Sequence, residues 1–485
     1  MLTALTGSVL PAVSAYGQDS LWAIHHGGRL NETGYACRML PGGDYAMVGT
    51  TFSLGAGDYD VYLVKLDSAG DVFWERTYGG IAADVGTDMQ VTPDSGFIIV
   101  GYTASWGNGK RDICLIKASS DGTQEWIKTF GGVADEEAYS VQVTADSGFI
   151  ICGTTMSFGS GGDLYLIRTD RNGDTLWTKT YGGTAGESGA AVRVTSDGGF
   201  VAVGNTGSFG VGYSSIYLVR TDPNGDTLWT AAYGGARADL GYDVERTNDN
   251  GFILSGATVP AGQNYYDAYL VKVDSTGRQE WEALYGDAYD DRAYSVAPTI
   301  DGGYVLTGTT ESNRGRKIDI YLVKTDPVGG IEWDTAYGGV ESDYGRMVGV
   351  DGAGDFLMAG STYSYSEGGS DLYLMKVKGS AAMAVDWPDR PLPDRFALAQ
   401  NYPNPFNAGT RIEFMLSERS AYTLSIYNIL GQIVRRWEGN TYMAGIHAVD
   451  WDGRDDNGCA VSSGLYFYTL RAQDFVETKK MVLLK

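Results

Sequence analysis

Cysteine and histidine are scarce in this chain, and each shortage closes off a kind of chemistry. Four cysteines occur in 485 residues, Cys37, Cys114, Cys152 and Cys459, with no CxxC spacing among them. The first three fall at different places in the repeat described below, so neither a zinc site nor a disulfide framework is expected. Three histidines, His25, His26 and His447, leave little material for a serine–histidine–carboxylate triad. His26 stands where other copies of the repeat carry Tyr78, Phe130 and Tyr181, and it reads as a packed aromatic substitute. Basic residues are also in deficit: 36 Lys and Arg against 60 Asp and Glu give a net charge of −24. Such a surface repels nucleic acid and anionic lipid, so no nucleic-acid partner is expected. No run of 18 apolar residues is present, so no transmembrane helix is expected. The opening MLTALTGSVLPAVSA is small and apolar, with Val13 and Ala15 spaced like a signal-peptidase site and no Lys or Arg before Arg29. Residues 1–17 are expected to be a signal-peptide-like leader that lacks the usual basic start; a disordered leader is the alternative.

Glycine (69) and tyrosine (33) are plentiful, a mix that suits short strands joined by tight turns. The dominant feature is a tryptophan that recurs with almost no drift: Trp22, Trp74, Trp126, Trp177, Trp229, Trp281 and Trp333. A fixed period near 52 residues means one supersecondary unit repeated. Twelve residues before each later Trp comes YLVK or a relative, such as Tyr165–Arg168, followed by a turn such as Asp222-Pro223-Asn224-Gly225-Asp226. After the Trp come TYGG or a relative, an acidic loop, a partly polar segment and a dense apolar run. Each repeat therefore reads as four strands: polar-mixed A, apolar B, apolar C and Trp-bearing D. That is the unit of a β-propeller.

The ends settle the closure. The first D strand, 21–28, has no A, B or C before it, and the last A-B-C set, 344–377, has no D after it. The expected fold is all-β, a seven-bladed propeller over residues 18–379 with the N-terminal strand completing the last blade. An open solenoid would leave unpaired edges. The pattern resembles the seven-bladed propeller repeats of secreted bacterial proteins. That resemblance implies a fold and no particular activity.

Beyond a linker at 380–395, rich in Ala, Pro and Asp, the texture changes. Alternating segments at 410–415, 422–427, 432–437, 447–451, 464–470 and 478–484 suggest an Ig-like β-sandwich over residues 396–485. The motifs are Tyr402-Pro403-Asn404-Pro405-Phe406-Asn407, the run 426–432 (IYNILGQ), Trp451-Asp452-Gly453, the run 463–468 (SGLYFY), and a terminal Lys479-Lys480-Met481-Val482-Leu483-Leu484-Lys485. They resemble the type A C-terminal sorting domain of type IX secretion cargo and are similar to the Ig-like domain of the flagellar hook-cap protein. Ala408 departs from the proline usual there. The resemblance implies recognition by the type IX export machinery, with residues 479–485 as the sorting signal. It also implies a secreted or outer-membrane surface location in a bacterium. An ordinary accessory sandwich is the alternative.

Ten residues after each Trp stands a carboxylate: Glu32, Asp84, Glu136, Glu187, Asp239, Asp291 and Asp343. They are expected either to brace their own D–A loops or to form an acidic ring at one channel mouth. A hard cation such as calcium accepts ligands of that kind; no other cofactor is expected. A basic belt, Lys65, Lys117, Arg168, Arg220, Lys272, Lys324 and Lys376, is expected to pair with A–B turn acids such as Asp94, Asp146, Asp197, Asp249 and Asp301. The B–C loops vary most, and Trp106, Tyr265, Tyr266, Arg314 and Arg316 are the candidate ligand-binding residues on them. Asp450, Asp452, Asp455 and Asp456 crowd one turn without the spacing of a calcium loop. No repeat holds a His, Arg and carboxylate cluster that its sisters lack. A non-enzymatic protein- or glycan-binding scaffold is therefore the leading expectation. A hydrolase or lyase using paired carboxylates and a purely structural surface protein are the alternatives.

Overall fold

The computed structural model describes residues 9–10, 20–286, 289–311, 317–366, 368–379, 396–398, 401, 404, 406–407, 410–416, 420–442, 445–456, 458–473 and 475–484. Two compact units divide the chain, residues 1–382 and 383–485. Among the described residues no helix is long and apolar enough to cross a membrane.

Among the described residues the first unit holds six four-stranded antiparallel sheets and one five-stranded sheet. One sheet shows the plan: A is Glu136–Val143, B is Phe149–Thr155, C is Asp163–Thr169 and D is Thr175–Tyr181, paired in that order. Strands B and C are buried throughout apart from Thr154, whereas D is exposed or half-buried up to its last residue, the buried Tyr181. Sequence explains the difference, because B and C are apolar on both faces and each sheet is covered by a neighbour on both sides. Seven apolar clusters lie between consecutive sheets, and one of them joins Leu357, Leu372 and Leu374 of the last sheet to Met47, Tyr62 and Val64 of the first. The sheets thus close a ring, the arrangement of a β-propeller.

The periodic tryptophan belongs to these junctions. Each one packs on the aromatic that opens strand B of the next sheet, as Trp74 on Phe97 (5.9 Å) and Trp177 on Phe200 (5.9 Å). The same ring presses on the C–D turn of that sheet. A Cβ on Gly122 would lie 2.7 Å from Trp74, and Gly122 has φ of 78°. Glycine is required there on both counts. Tyr78 adds a hydrogen bond from its hydroxyl to the Gly122 carbonyl at 2.8 Å.

Ser20–His26 supplies the missing outer strand of the last sheet, with Trp22 opposite Lys376 and His25 opposite Tyr373. Val9 and Leu10, inside the segment read as a leader, pair with Ile24 and Ala23 as a short fifth strand. The open edge of Ser20–His26 offers the unpaired N–H and C=O groups that accept such a strand. His26 is buried, stacks on Tyr62 (6.1 Å) and meets Glu75 through Nε2 at 2.8 Å.

The second unit holds two sheets. Ala397–Leu398, Thr410–Leu416 and Gly445–Trp451 form one; Ile433–Tyr442, Ser420–Tyr427, Gly464–Ala472 and Phe475–Leu483 form the other. Ile412, Phe414, Leu424, Ile426, Trp451, Tyr468, Met481 and Leu483 are buried in its core. The basic-apolar terminus is therefore not a free tail. Lys479 to Leu483 belong to the final strand, paired with 464–468, and Met481 and Leu483 point into the sandwich. The proline-asparagine motif clamps that strand: Phe406 exchanges backbone bonds with Val482 and Leu484, and Asn404 accepts the Val482 N–H at 2.9 Å. Lys485 lies outside the described residues. In the acidic turn, Asp452 and Asp455 accept the N–H groups of Arg454 and Cys459.

Candidate functional site: the channel wall

The seven A strands surround a central cavity of about 910 Å3. Each carries a bulge at its fourth residue, between a small third residue and the fifth, as between Gly86 and Asp88. The strand B glycine opposite permits it. A Cβ on Gly101 would sit 1.8 Å from the Val85 carbonyl oxygen, so the two backbones approach too closely for any side chain. A bulge re-aims one residue, and here all seven line the channel: Tyr35, Thr87, Tyr139, Ala190, Tyr242, Tyr294 and Arg346.

Below them the fifth residues stitch neighbouring sheets. Asp88 accepts the Val141 N–H at 3.0 Å, Ser140 that of Val192, Asp243 that of Val296 and Ser295 that of Val348, each at 3.3 Å. Two arginines neutralise the carboxylates: Arg38 meets Asp88 at 2.7 Å, and Arg193 meets Asp243 at 2.8 Å and Glu245 at 2.7 Å. Burial pushes the Asp243 carboxyl up, and Arg193 pulls it back. At the level of the bulge the wall is aromatic. Tyr242 and Tyr294 pack at 4.9 Å, and burial raises the phenols of Tyr35, Tyr139 and Tyr242. Tyr139 donates to Glu137, which also receives Arg111.

The ring of carboxylates after the tryptophans is not an open acidic mouth. Glu32, Asp84, Glu136, Glu187, Asp239, Asp291 and Asp343 are all at most 3% exposed, and none lines the channel. Glu32, Asp84, Glu136, Glu187, Asp239 and Asp343 each accept the N–H of the glycine four residues earlier, at 2.7–2.9 Å. In Glu32, Glu136 and Glu187 the other oxygen takes a threonine hydroxyl and a serine N–H from the B–C loop. Position explains the outcome: these residues open strand A before it reaches the wall, so their side chains turn back into their own loops. Glu32, Asp84, Glu136, Glu187 and Asp343 also face a second buried carboxylate, the first residue of strand C in the preceding sheet (Asp371, Asp60, Asp112, Asp163 and Asp319), whereas Ser215 holds that place opposite Asp239. A Cβ on Gly182 would meet both Asp163 (1.8 Å) and Glu187 (2.6 Å), which accounts for the first glycine of the repeated YGG. Burial raises Asp163, with Glu187 adding to the rise. Burial also opposes the charge of Glu187, but the donors from Gly183, Ser208 and Thr206 bring it below the usual range. Among the described residues no group of three or more His, Cys, Asp or Glu side chains is placed to hold a metal ion.

The basic belt lies on the A–B turn side. Lys117, Arg168, Arg220, Lys272 and Lys324 meet Asp94, Asp146, Asp197, Asp249 and Asp301 at 2.5–3.0 Å. Lys65 and Lys376 reach Asp44 and Asp351. On the B–C loops Trp106 is 42% exposed and lies against Gly80. Tyr265 is 45% exposed and packs on Tyr289 at 6.0 Å. Tyr266 lies under the Arg292 guanidinium at 4.4 Å, and Arg292 reaches the Tyr242 hydroxyl at 3.3 Å, tying that loop to the wall. Arg314 and Arg316 lie outside the described residues. The wall itself was not singled out in the sequence reading. Variation alone did not mark it: the fourth residue of strand A interchanges Tyr, Thr, Ala and Arg, but the second residue varies as widely, from Val85 to Glu137, Arg292 and Tyr344.

A family model described as the FlgD Ig-like domain matches residues 401–474. The regulatory protein FlaEY of Caulobacter vibrioides is 24% identical over 180 residues, 31% of this chain and only 18% of that protein's length. PorZ, a surface component of the type-IX secretion system of Porphyromonas gingivalis, has a TM-score of 0.37 at 12% identity, covering 91% of this chain and 68% of its own. The β-propeller domain of the Trilobed protease from Pyrococcus furiosus has a TM-score of 0.42 at 13% identity, covering 74% and 100%.

Proposed function

We propose that this is an exported binding protein of the bacterial cell surface, whose propeller holds a protein or glycan at the channel and the B–C loops beside it. The supporting observation is the contrast within strand A. The first, third and sixth residues of the strand are nearly the same in every copy (Glu or Asp, Gly or Ala, and an apolar residue), whereas the bulged residue that enters the channel reads Tyr35, Thr87, Tyr139, Ala190, Tyr242, Tyr294 and Arg346. Asymmetry on a rigid frame is what selective recognition needs. The engagement of the D–A carboxylates in loop hydrogen bonds argues for binding over hydrolysis. The second unit is, in this reading, a type IX sorting domain. Screening the full chain against glycans and surface proteins tests the first part, with Tyr242→Ala expected to weaken any ligand found. A hit that ignores Tyr242→Ala and Tyr294→Ala would move binding away from the channel. Replacing residues 396–485 with an unrelated Ig-like domain tests the second: surface delivery in a type IX host should stop.

A further inference from the structure

Three arginines line the channel, and they are not alike. Arg38 is paired with Asp88, and Arg193 with Asp243 and Glu245. Arg346 has no carboxylate within ion-pair distance among the described residues, and its buried Nε meets no acceptor. Aromatic rings hold it instead: its guanidinium lies 4.8 Å from the Tyr294 centroid and 5.7 Å from that of Tyr344. Its charge also reaches Tyr35 across the wall. In a chain of net charge −24, a guanidinium left without an acid beside a cavity is an exception.

We propose that Arg346 is the anchor for a carboxylate on a sugar ring, making the channel a site for uronic-acid oligosaccharides. This rests on the binding role proposed above. A guanidinium presents a planar fork of donors that matches a carboxylate two bonds at a time, and with Nε buried the fork Arg346 would offer is its two Nη groups. Its clamp between rings fixes the fork in advance, so little freedom is lost on binding. The lining carries three arginines against four carboxylates, Asp88, Glu137, Asp243 and Glu245. Arg38 already meets Asp88, Arg193 meets Asp243 and Glu245, and Arg111 meets Glu137, so among the described residues Arg346 is the lining cation left for a ligand's carboxylate. The remainder of the wall offers what a hydroxyl-rich ring uses: tyrosine faces with their hydroxyls, and the amides of Gln90, Gln142 and Asn205. A peptide would instead look for apolar side-chain pockets.

The test is calorimetric titration of the full chain with trigalacturonate, the neutral galactose trisaccharide of the same linkage, and a glutamate-rich peptide. Trigalacturonate should bind, the neutral sugar at least tenfold more weakly. Arg346→Gln should lose at least tenfold for trigalacturonate with an unchanged melting temperature. Arg346→Lys, which keeps the charge and loses the fork, should fall between. Equal affinity of wild type and Arg346→Gln for trigalacturonate would overturn the anchor and leave the binding role standing. Peptide binding without sugar binding would overturn the ligand class. No binding by any of the three, while the wider glycan and protein screen finds a ligand, would overturn this inference alone; a blank screen as well would remove the binding role.

Discussion

Closure of the ring depends on a strand with no hairpin to hold it. Ser20–His26 is joined to Asp371–Val377 by its ladder, by His25, whose Nδ1 meets Asp371 at 2.9 Å, and by the side chains it buries. Ile24 is the main one, 4% exposed among Met47, Val64, Leu66, Leu372 and Leu374. Ile24→Ala removes three carbons, about 2.5 kcal/mol at ~0.8 kcal/mol per buried group. A void of about 10 Å3 already lies among these side chains, so they have not closed on each other even around isoleucine. A residual cavity of about 50 Å3 would add ~1 kcal/mol at ~24 cal/mol per Å3. The expected loss is therefore roughly 3–4 kcal/mol, inside the usual range for such truncations. Leu21, on the same strand, is 43% exposed, and Leu21→Ala should stay within about 0.5 kcal/mol. Urea unfolding of the full chain, followed at the propeller transition, measures both. An Ile24→Ala loss below about 1 kcal/mol, or a Leu21→Ala loss as large as that of Ile24→Ala, would show that this strand does not close the ring.

The remaining predictions concern acid, thiols and the second unit. Asp146 and Asp197 are held at about 2, first by the hydroxyls of Thr144 and Thr195, then by Arg168 and Arg220. An unfolded aspartate titrates near ~3.9, so their contribution is complete above about pH 4 and lost as pH falls toward 2. The double variant Asp146→Asn, Asp197→Asn should flatten the dependence of the urea midpoint on pH across that window and leave it unchanged in slope above pH 5. Burial pushes the Cys37 thiol up to about 12 and raises Cys114 and Cys152 as well, whereas Cys459 is exposed. A disulfide reagent at pH 8 should titrate one thiol per native chain and all four in denaturant; a second fast thiol would contradict the packing of strands A to C. Met481 is fully buried in the sandwich and Val476 is 51% exposed. Met481→Ala should lower the calorimetric transition of the second unit by roughly 2–5 kcal/mol and Val476→Ala should not, so a truncation of residues 479–485 would test folding before it tested export.

Most of the architecture was legible because it is written seven times. The tryptophan period marked strand D, and the odd ends of the chain marked the N-terminal strand as the partner of Asp371–Val377. The basic belt was legible for the same reason, since strand rise alone placed Lys117 and Lys272 nearer the A–B turns than the D–A loops. The repeated carboxylates were harder. Ten residues after each Trp is a sequence position that suits either a loop brace or an acidic ring, and the coordinates show the hydrogen bonds of a brace, as Glu136 makes with Gly132 and Thr155. The terminal segment was legible as a strand, because alternation over 478–484 marks one, and Phe475–Leu483 indeed pairs with Gly464–Ala472. What the sequence did not show is its clamp: Asn404, which accepts the Val482 N–H, lies 78 residues away in the chain, and Phe406 pairs with the same strand.

The channel wall escaped for a more general reason. Aligning copies rewards what they share, and what they share is packing: tryptophan on phenylalanine, glycine against a carbonyl, carboxylate to glycine N–H. A ring of identical sheets with identical walls would present a symmetric pore with no preference for one ligand orientation. Preference requires residues that differ among copies at a position where difference costs no stability. The bulge creates that position, because its extra residue takes no part in the ladder and faces open space. Thr87 and Ala190 can stand where Tyr139 and Tyr242 stand without disturbing a sheet, and Arg346 can be left without an acid. The strand B glycines that admit the bulge, such as Gly101, are thus the structural expense that frees the fourth residue for recognition. Gly101→Ala should therefore damage the fold, whereas Thr87→Ala should cost only the hydroxyl's bonds to the Val100 and Ala138 carbonyls, about 1–2 kcal/mol, and only changes of the second kind should alter what the channel binds.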